Sequence, residues 1–295
     1  MAPHPLLLEP RGPFDLQQAI AFGFGPRAPG EDALMRLAFA ADESGLGAGV
    51  VVHQAEPGGP VTGAIHSDAD PAGVARQVAR ILSLDVDAGP WEDLGDRDEV
   101  LGALQERFAG LRPVLFHSPY EAASWAVISA RWGRVQATRA RDAIAAAHGH
   151  TFKLAGEVLS AWPSPQRLLE ALDAERVTGL PGEKLRRLHG VATAAAAGEL
   201  DAERLHALGP EAAEDAVGEL RGFGPFYRSL VVVRSVGFTD ALAADEPRSR
   251  RAAAQLHGLA ALEPDAFAAL AEGWRPFRTW ATVLLRVAAE RDGLA

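Results

Sequence analysis

The pattern of hydrophobic and polar positions changes about one third of the way along the chain. In the first part, residues 49–53 and 61–65 are short β-branched runs bounded by Gly, Pro or Asp, and a polar loop joins them, so the pattern predicts a β-hairpin. Residues 34–39 predict a further strand. Residues 15–22 and 71–82 carry apolar positions at helical spacing and predict helices. The first third is therefore predicted to be a small α+β domain.

From about residue 98 onward the pattern is almost wholly helical. Amphipathic runs rich in Ala, Leu and Arg are separated by Gly and Pro at short intervals. Ser118 can cap a helix that begins at Pro119, and Glu121 can reach back to complete a capping box. The predicted fold class is α+β, with a small α+β N-terminal domain at residues 1–112 followed by an all-helical domain at residues 113–295.

A glycine-containing connection, Leu-Arg-Gly-Phe-Gly-Pro-Phe at residues 220–226, joins two of the helical runs. Gly222 and Gly224 allow left-handed backbone angles where the first helix ends, and Pro225 suits the first position of the next helix. Free N–H groups at that helix start favour an anion. The pattern predicts a helix-hairpin-helix that binds a nucleic-acid phosphate without reading base sequence. An ordinary turn between two helices is the alternative.

Composition narrows the chemistry that the chain can carry. The 295 residues are 48% hydrophobic and 23% charged, which is typical of a globular protein. The absence of cysteine excludes disulfides, thiolate zinc sites, iron–sulfur clusters and a cysteine nucleophile. The nine histidines show no metal-ligand spacing, so we predict no metal site. With no signal peptide and no apolar run of about 18 residues, we expect a cytoplasmic, monomeric protein with no membrane segment.

The net charge of −10 lies entirely in the first part of the chain. Residues 1–110 contain 17 acidic and 7 basic residues, and 7 − 17 equals −10, so the remainder is neutral overall. That remainder can present a local basic face to a polyanion. Arginine supplies nearly all of the positive charge, and its planar guanidinium suits phosphate.

Two further motifs follow the hairpin. An acidic pair, Asp245 and Glu246, comes first, and Trp-Arg-Pro-Phe-Arg comes at residues 274–278. This order resembles the helix-hairpin-helix DNA glycosylases, and most closely the 3-methyladenine DNA glycosylase II family. Landmarks similar to that family's also occur in the same order at residues 13–15, 82–85 and 113–121.

The resemblance implies an enzyme that binds double-stranded DNA and flips a damaged nucleotide into a cleft between two helical lobes. An aromatic pocket there would suit positively charged alkylated purines. The implied pocket residues are Phe22, Trp125 and Phe226. The implied DNA-phosphate contacts are Gly222, Gly224, Phe226, Arg131, Arg134 and Arg228. Trp132 is the implied wedge that fills the gap left by the flipped base. Core packing is the alternative for Trp132 and Phe226, and solvated charge is the alternative for the arginines. The resemblance implies no cofactor beyond a monovalent cation held by hairpin carbonyls.

The sequence departs from the family at two positions. The family's catalytic aspartate, usually the second member of an acidic pair, falls on Glu246, which lies 246 − 224 = 22 residues after Gly224. Either Glu246 or Asp245 stabilises the sugar cation, or Asp245 only caps the next helix and catalysis is weak or lost. Bifunctional members carry a Schiff-base lysine where this chain has Phe226, so a lyase activity is not expected.

Three hypotheses follow from these observations. The leading one is a monofunctional glycosylase that removes alkylated bases. The second is a DNA-binding or lesion-binding protein of the same fold with little or no glycosylase activity. The third is a helical module unrelated to DNA.

Overall fold

The computed structural model describes residues 3–22 and 33–294, and its first part is a four-stranded antiparallel sheet flanked by helices. The strand order is β1-β4-β3-β2. The elements are β1 (His4–Leu8), α1 (Leu16–Ala21), β2 (Met35–Ala40), β3 (Gly47–Gln54), β4 (Val61–Ser67), α2 (Pro71–Ile81), α3 (Gly89–Glu92) and α4 (Glu99–Arg107). The predicted strands and helices of this part are confirmed.

The remainder is mainly helical. Its elements are α5 (Pro119–Ser129), α6 (Arg134–His148), β5 (Thr151–Leu154), β6 (Glu157–Ser160), α7 (Pro165–Asp173), α8 (Gly182–Ala196), α9 (Ala202–Leu208), α10 (Pro210–Gly218), α11 (Pro225–Ser235), α12 (Pro247–Leu256), α13 (Pro264–Ala271), a 3₁₀ turn (Glu272–Trp274) and α14 (Arg278–Arg291). The predicted fold class, α+β with a helical body, is confirmed. No helix in the described ranges has both the length and the apolar character that a membrane span needs.

Ser118 caps α5 as predicted, but Glu121 does not complete the capping box. The Ser118 hydroxyl accepts a hydrogen bond from the Glu121 N–H at 3.1 Å. The buried Glu121 carboxylate instead binds His117 Nδ1 at 2.7 Å and the Arg141 guanidinium at 2.8 Å. A buried carboxylate is stable only when it is paired, and these two partners outcompete a backbone N–H.

One strand pair within the body was not predicted. β5 and β6 form a hairpin that packs against β2 and β3 of the N-terminal sheet. Gly49 makes this contact possible, because a Cβ at that position would lie 2.7 Å from the Phe152 ring. Buried Arg36 completes the contact by donating to the Leu154 and Ala155 carbonyl oxygens, each at 3.1 Å. The prediction of an all-helical body is therefore wrong in this segment.

The buried apolar side chains of the described residues form two separate cores. The first joins side chains from residues 6–114 to side chains of α12, α13 and α14, and the second lies within residues 120–236. The chain crosses between the cores twice, near residue 115 and between α11 and α12. The domain boundary at residues 112–113 stays a prediction, since the last helices of the body pack with the N-terminal core.

Asp98 connects the C-terminal helices to the N-terminal core through hydrogen bonds. Its carboxylate caps α4 and accepts hydrogen bonds from Trp274 Nε1 at 2.8 Å and His257 Nε2 at 3.1 Å. Burial raises the pKa of this carboxyl, but hydrogen bonds from His257 and Trp274 outweigh burial and lower the pKa to about 2. The hydrogen bond to Asp98 in turn raises the pKa of His257.

Candidate nucleic-acid interface

The predicted helix-hairpin-helix is present between α10 and α11. Gly222 has φ +88°, so it takes the left-handed conformation, and Gly224 caps α11 with φ −70° and ψ 178°. The expectation that Gly224 is also left-handed is wrong, because the cap of a helix start needs extended backbone angles. In the described structure, no acceptor is found for the N–H groups of Gly222, Gly224 and Phe226. Three free donors at the hairpin and the positive end of α11 form an anion-binding arrangement.

Arg228 does not stand free beside these donors. Its guanidinium lies 3.5 Å from an Asp215 carboxylate oxygen and 3.9 Å from a Glu214 carboxylate oxygen. Both acidic residues belong to α10, so Arg228 joins the two helices of the hairpin. Its role as a phosphate ligand stays a prediction, and these contacts give it a structural role.

The turn between α5 and α6 carries Trp132, whose role as a wedge stays a prediction. Arg131 and Arg134 are exposed, and Arg131 has φ +58°, a left-handed conformation that is unusual for a residue other than glycine. Trp132 is half-buried, and the Lys184 ammonium lies 3.7 Å from the centre of its ring. The two arginines can meet phosphates, whereas the indole is held against the body.

The first turns of α8 contact both of these elements. Lys184 covers Trp132, and the neighbouring Glu183 carboxylate lies 3.8 Å from the Arg221 guanidinium at the hairpin. Arg187 packs so closely on the hairpin that a Cβ on Gly222 would lie 2.8 Å from its Cζ. The hairpin and the α5–α6 turn are therefore neighbours on one surface, which we call the hairpin surface. Its exposed basic residues are Arg131, Arg134, Arg186 and Arg221.

The acidic pair lies at the start of α12. Glu246 is the capping residue, with its carboxylate accepting from the Ser249 N–H at 2.6 Å, the Ser249 hydroxyl at 2.6 Å and the Arg248 N–H at 3.2 Å. Asp245 is exposed and precedes the cap. The alternative in which Asp245 caps this helix is therefore wrong, because Pro247 takes the first helical position and leaves Glu246 at the cap.

The loop that carries Glu246 is fixed to the start of α14. Asp240 accepts from Arg275 at 2.6 Å and from Arg278 Nε at 2.8 Å. Thr279 binds the same loop through its N–H, which donates to the Thr239 carbonyl at 2.9 Å, and through its hydroxyl, which bonds to Ala241 at 2.8 Å. The Trp-Arg-Pro-Phe-Arg motif thus positions the loop before the carboxylate.

Arg286 of α14 lies beside Glu246, and Arg234 of α11 lies near Arg286. The Arg286 guanidinium is 4.0 Å from the Glu246 carboxylate, and Arg234 is close enough to Arg286 for their charges to repel. Burial, with a smaller contribution from Arg286, lowers the pKa of Arg234 to about 10. The Arg234 guanidinium also lies 5.2 Å from the centre of the Phe22 ring. The helix start and Arg286 both stabilise a negative charge at position 246.

The three residues predicted to line a base pocket lie on three separate elements. Phe22 is buried at the end of α1, Trp125 is half-buried on α5, and Phe226 is 53% exposed at the start of α11. Phe226 contacts Tyr227 edge-on, with ring centroids 5.3 Å apart. Their convergence on one pocket stays a prediction. The core-packing alternative for Phe226 does not agree with its exposure.

Sequence reasoning missed Lys184, Arg234 and Arg286. Arg234 and Arg286 each interrupt an apolar helical run, which is an available signal because an arginine on a buried helix face needs a partner. Lys184 is one of only two lysines in an arginine-rich chain and lies in the first turn of a helix. No sequence signal connects it with Trp132, which is 52 positions away (184 − 132).

A hairpin with free donors, an α+β N-terminal part and a carboxylate at the start of the following helix together define the fold of the helix-hairpin-helix DNA glycosylases. The structure superposes with a TM-score of 0.79 on the 3-methyladenine DNA glycosylase from Archaeoglobus fulgidus, at 20% identity over 98% of this chain and 99% of that one. It superposes with a TM-score of 0.72 on the 8-oxoguanine glycosylase/lyase of Clostridium acetobutylicum in complex with double-stranded DNA, at 18% identity over 99% and 100% of the two chains. At these identities the likeness shows the fold.

The sequence itself matches one curated relative over part of its length. It is 23% identical over 174 residues to the DNA-3-methyladenine glycosylase of Bacillus subtilis (strain 168), which covers 59% of this chain and 57% of the relative. The match thus spans a little over half of the relative's length. No protein-family model matches the chain.

Proposed function

We propose that this protein is a DNA glycosylase that hydrolyses the N-glycosidic bond of alkylated bases in double-stranded DNA. The observation that supports it most directly is the Glu246 carboxylate, held by two backbone N–H groups at the start of α12 in a chain with the glycosylase fold. A fixed anion at that position stabilises the positive charge that develops on the sugar as the bond breaks. Alkylated bases are proposed because the relatives named above include 3-methyladenine glycosylases.

The hairpin surface supplies the remaining parts of this proposal. The N–H groups of Gly222, Gly224 and Phe226 bind one phosphate, and Arg131 and Arg134 bind others. Trp132 enters the duplex and fills the gap left by the flipped base. A monovalent cation at the hairpin and a monomeric state complete the proposal.

Phe226 supports a monofunctional enzyme. It occupies the position of the Schiff-base lysine in bifunctional members, and its exposed ring offers an aromatic face to a cationic base. We expect no covalent enzyme–DNA adduct after borohydride treatment. A trapped adduct would contradict this part of the proposal alone.

The decisive experiment measures release of free base from methylated duplex DNA by the wild type and by Glu246→Gln. Gln keeps an oxygen that can cap α12 but removes the charge, so release should fall by about 100-fold or more. Glu263→Gln is the matched control, since Glu263 also precedes a proline-initiated helix but makes no side-chain cap and is 85% exposed. Urea unfolding of each variant separates the loss of capping, about 1 kcal/mol, from the loss of chemistry.

A DNA-binding protein without glycosylase activity is the second candidate. Both carboxylate oxygens of Glu246 are engaged in capping, which also suits a purely structural residue. Tight binding to duplex DNA with no base released from methylated or oxidised substrates would favour this candidate.

If Asp245→Asn abolishes release while Glu246→Gln does not, the catalytic carboxylate is Asp245.

A further inference from the structure

Lys184 makes two contacts with the turn between α5 and α6. Its ammonium lies 3.7 Å from the centre of the Trp132 ring, and it donates a hydrogen bond to the Ile128 carbonyl oxygen. Both contacts reach from the first turn of α8 to a segment more than fifty positions earlier in the chain. Burial lowers the pKa of Lys184, as expected for an ammonium that is partly removed from water.

The hydrogen bond to Ile128 completes the end of α5. Ile128 lies in the last turn of this helix, where carbonyl groups have no N–H partner from a following turn. The backbone N–H of Trp132 donates to the Ser129 carbonyl oxygen at 2.9 Å, so it is not the partner of the Ile128 carbonyl. An ammonium at this point satisfies the carbonyl and interacts favourably with the negative end of the helix dipole.

The same ammonium fixes the indole of Trp132. A cation over the face of a tryptophan is attracted by the negative face of the ring, and the attraction increases when water is partly excluded. The turn also holds Arg131 at φ +58°, a conformation that persists in a side-chain-bearing residue only when its surroundings determine it. Lys184 of α8 thus contacts this turn on both sides of Arg131, at Ile128 and at Trp132.

We propose that Lys184 is a positioning residue that holds the Trp132 indole in the orientation it needs to enter DNA; this inference rests on the proposed function. An indole that is already oriented loses less conformational freedom when the complex forms, so the extruded state of the base is reached more readily. A lysine that served only the stability of the body would have no such selective effect on paired DNA.

The test uses Lys184→Met and Lys184→Arg in the full chain. Met keeps much of the length and volume of the side chain and removes the charge, whereas Arg keeps the charge. Lys153→Met is the matched control, because Lys153 is the only other lysine and lies exposed on β5. Base release is measured from a methylated nucleotide in a paired duplex and from the same nucleotide in single-stranded DNA.

We expect Lys184→Met to lower release from the paired duplex by about tenfold, on the scale of a partly desolvated cation–π contact, and to leave release from single-stranded DNA nearly unchanged. Lys184→Arg should restore most of the difference. Equal effects on the two substrates, or no effect on either, would overturn the inference.

A second measurement does not require turnover. Protein labelled with 5-fluorotryptophan gives ¹⁹F signals, and the signal of Trp132 is identified from Trp132→Phe. We expect that signal to move in Lys184→Met but not in Lys153→Met, and to respond differently from the wild-type signal when duplex DNA with an abasic-site analogue is added. If the wild type releases no base, the proposed activity is wrong, but the ¹⁹F signal of Trp132 still tests the positioning role of Lys184. An unchanged Trp132 signal in Lys184→Met would refute that role.

Discussion

Substitutions at the two hairpin glycines can test phosphate binding by the hairpin separately from the stability of the fold. Gly224 has φ −70°, and a Cβ added there would meet no atom within 4 Å. Gly224→Ala should therefore leave the unfolding free energy within about 1 kcal/mol of wild type, because Ala also restricts the unfolded chain. The new methyl group would nevertheless stand on the exposed surface where a phosphate approaches the free N–H groups.

Gly222→Ala should behave differently. Its φ of +88° is unfavourable for any residue with a Cβ, and the new Cβ would lie 2.8 Å from the Arg187 guanidinium. The left-handed conformation alone costs about 1–2 kcal/mol in an L-residue. Arg187 must also move, although its guanidinium is the end of a flexible side chain. We expect Gly222→Ala to lower both stability and DNA affinity.

For Gly224→Ala we expect a loss of duplex affinity of about 10- to 100-fold, which corresponds to losing one hydrogen bond to a charged group, about 1.5–3 kcal/mol. Fluorescence anisotropy with a labelled duplex at fixed salt measures the affinity, and urea unfolding measures stability. Gly273→Ala is the control, since it is an exposed glycine with no atom within 4 Å of the added Cβ and lies in the 3₁₀ turn before α14. Wild-type affinity in Gly224→Ala would refute phosphate binding through this part of the hairpin.

Three further predictions concern the other contacts. Duplex affinity should fall steeply as salt rises, because phosphate binding releases counterions, and an affinity that is flat with salt would contradict every DNA-based hypothesis. Trp132→Ala should lower base release from a paired duplex more than from single-stranded DNA, and equal losses would indicate a packing role. Asp98→Asn should lower the unfolding free energy near pH 6 by about 2 kcal/mol, because the carboxyl has a pKa of about 2 when folded against 3.8 ordinarily and is only 12% exposed. The pKa of His257 is raised in the folded state, so the contribution of His257 to the unfolding free energy is complete below about pH 6.5 and is lost as pH rises through the folded pKa. Urea unfolding at several pH values should show this loss of stability in the wild type and not in Asp98→Asn.

The sequence was most informative where a structure is determined by neighbouring residues. Helix starts such as Ser118-Pro119 and the glycine–proline connection at residues 222–225 depend on local backbone rules, and both lie where predicted. The same local rules explain which glycine is left-handed, because Gly224 caps the start of α11 and therefore needs extended angles, whereas Gly222 lies outside the cap. The β5–β6 turn has positive φ at both Ala155 and Gly156, as a two-residue hairpin needs, but alanine at the first position hides the usual Asn-Gly or Asp-Gly signal.

The parts of the site that depend on distant contacts were not predictable. Arg286 is brought beside Glu246 by the packing of α12 and α14, and Arg234 comes near Arg286 from α11. The positions of these residues in the sequence do not indicate that they are close in space. Lys184 reaches Trp132 in the same way. Single-sequence patterns report periodicity and capping, whereas these contacts depend on how whole helices are arranged.

The structure offers a physical reason why, under the proposed function, a glutamate could take the role that the resemblance assigns to an aspartate. A longer side chain normally leaves a carboxylate less well placed, and electrostatic stabilisation of a sugar cation depends on that placement. Here the extra methylene does not leave the group free, because the Ser249 N–H, the Ser249 hydroxyl and the Arg248 N–H hold it within 3.2 Å. The loop before it is fixed by Asp240 on Arg278, so neither the backbone nor the carboxylate has to be ordered when DNA binds. For the glycosylase proposed above, a glutamate restrained in this way would meet the requirement that the catalytic charge be in place before the reaction begins.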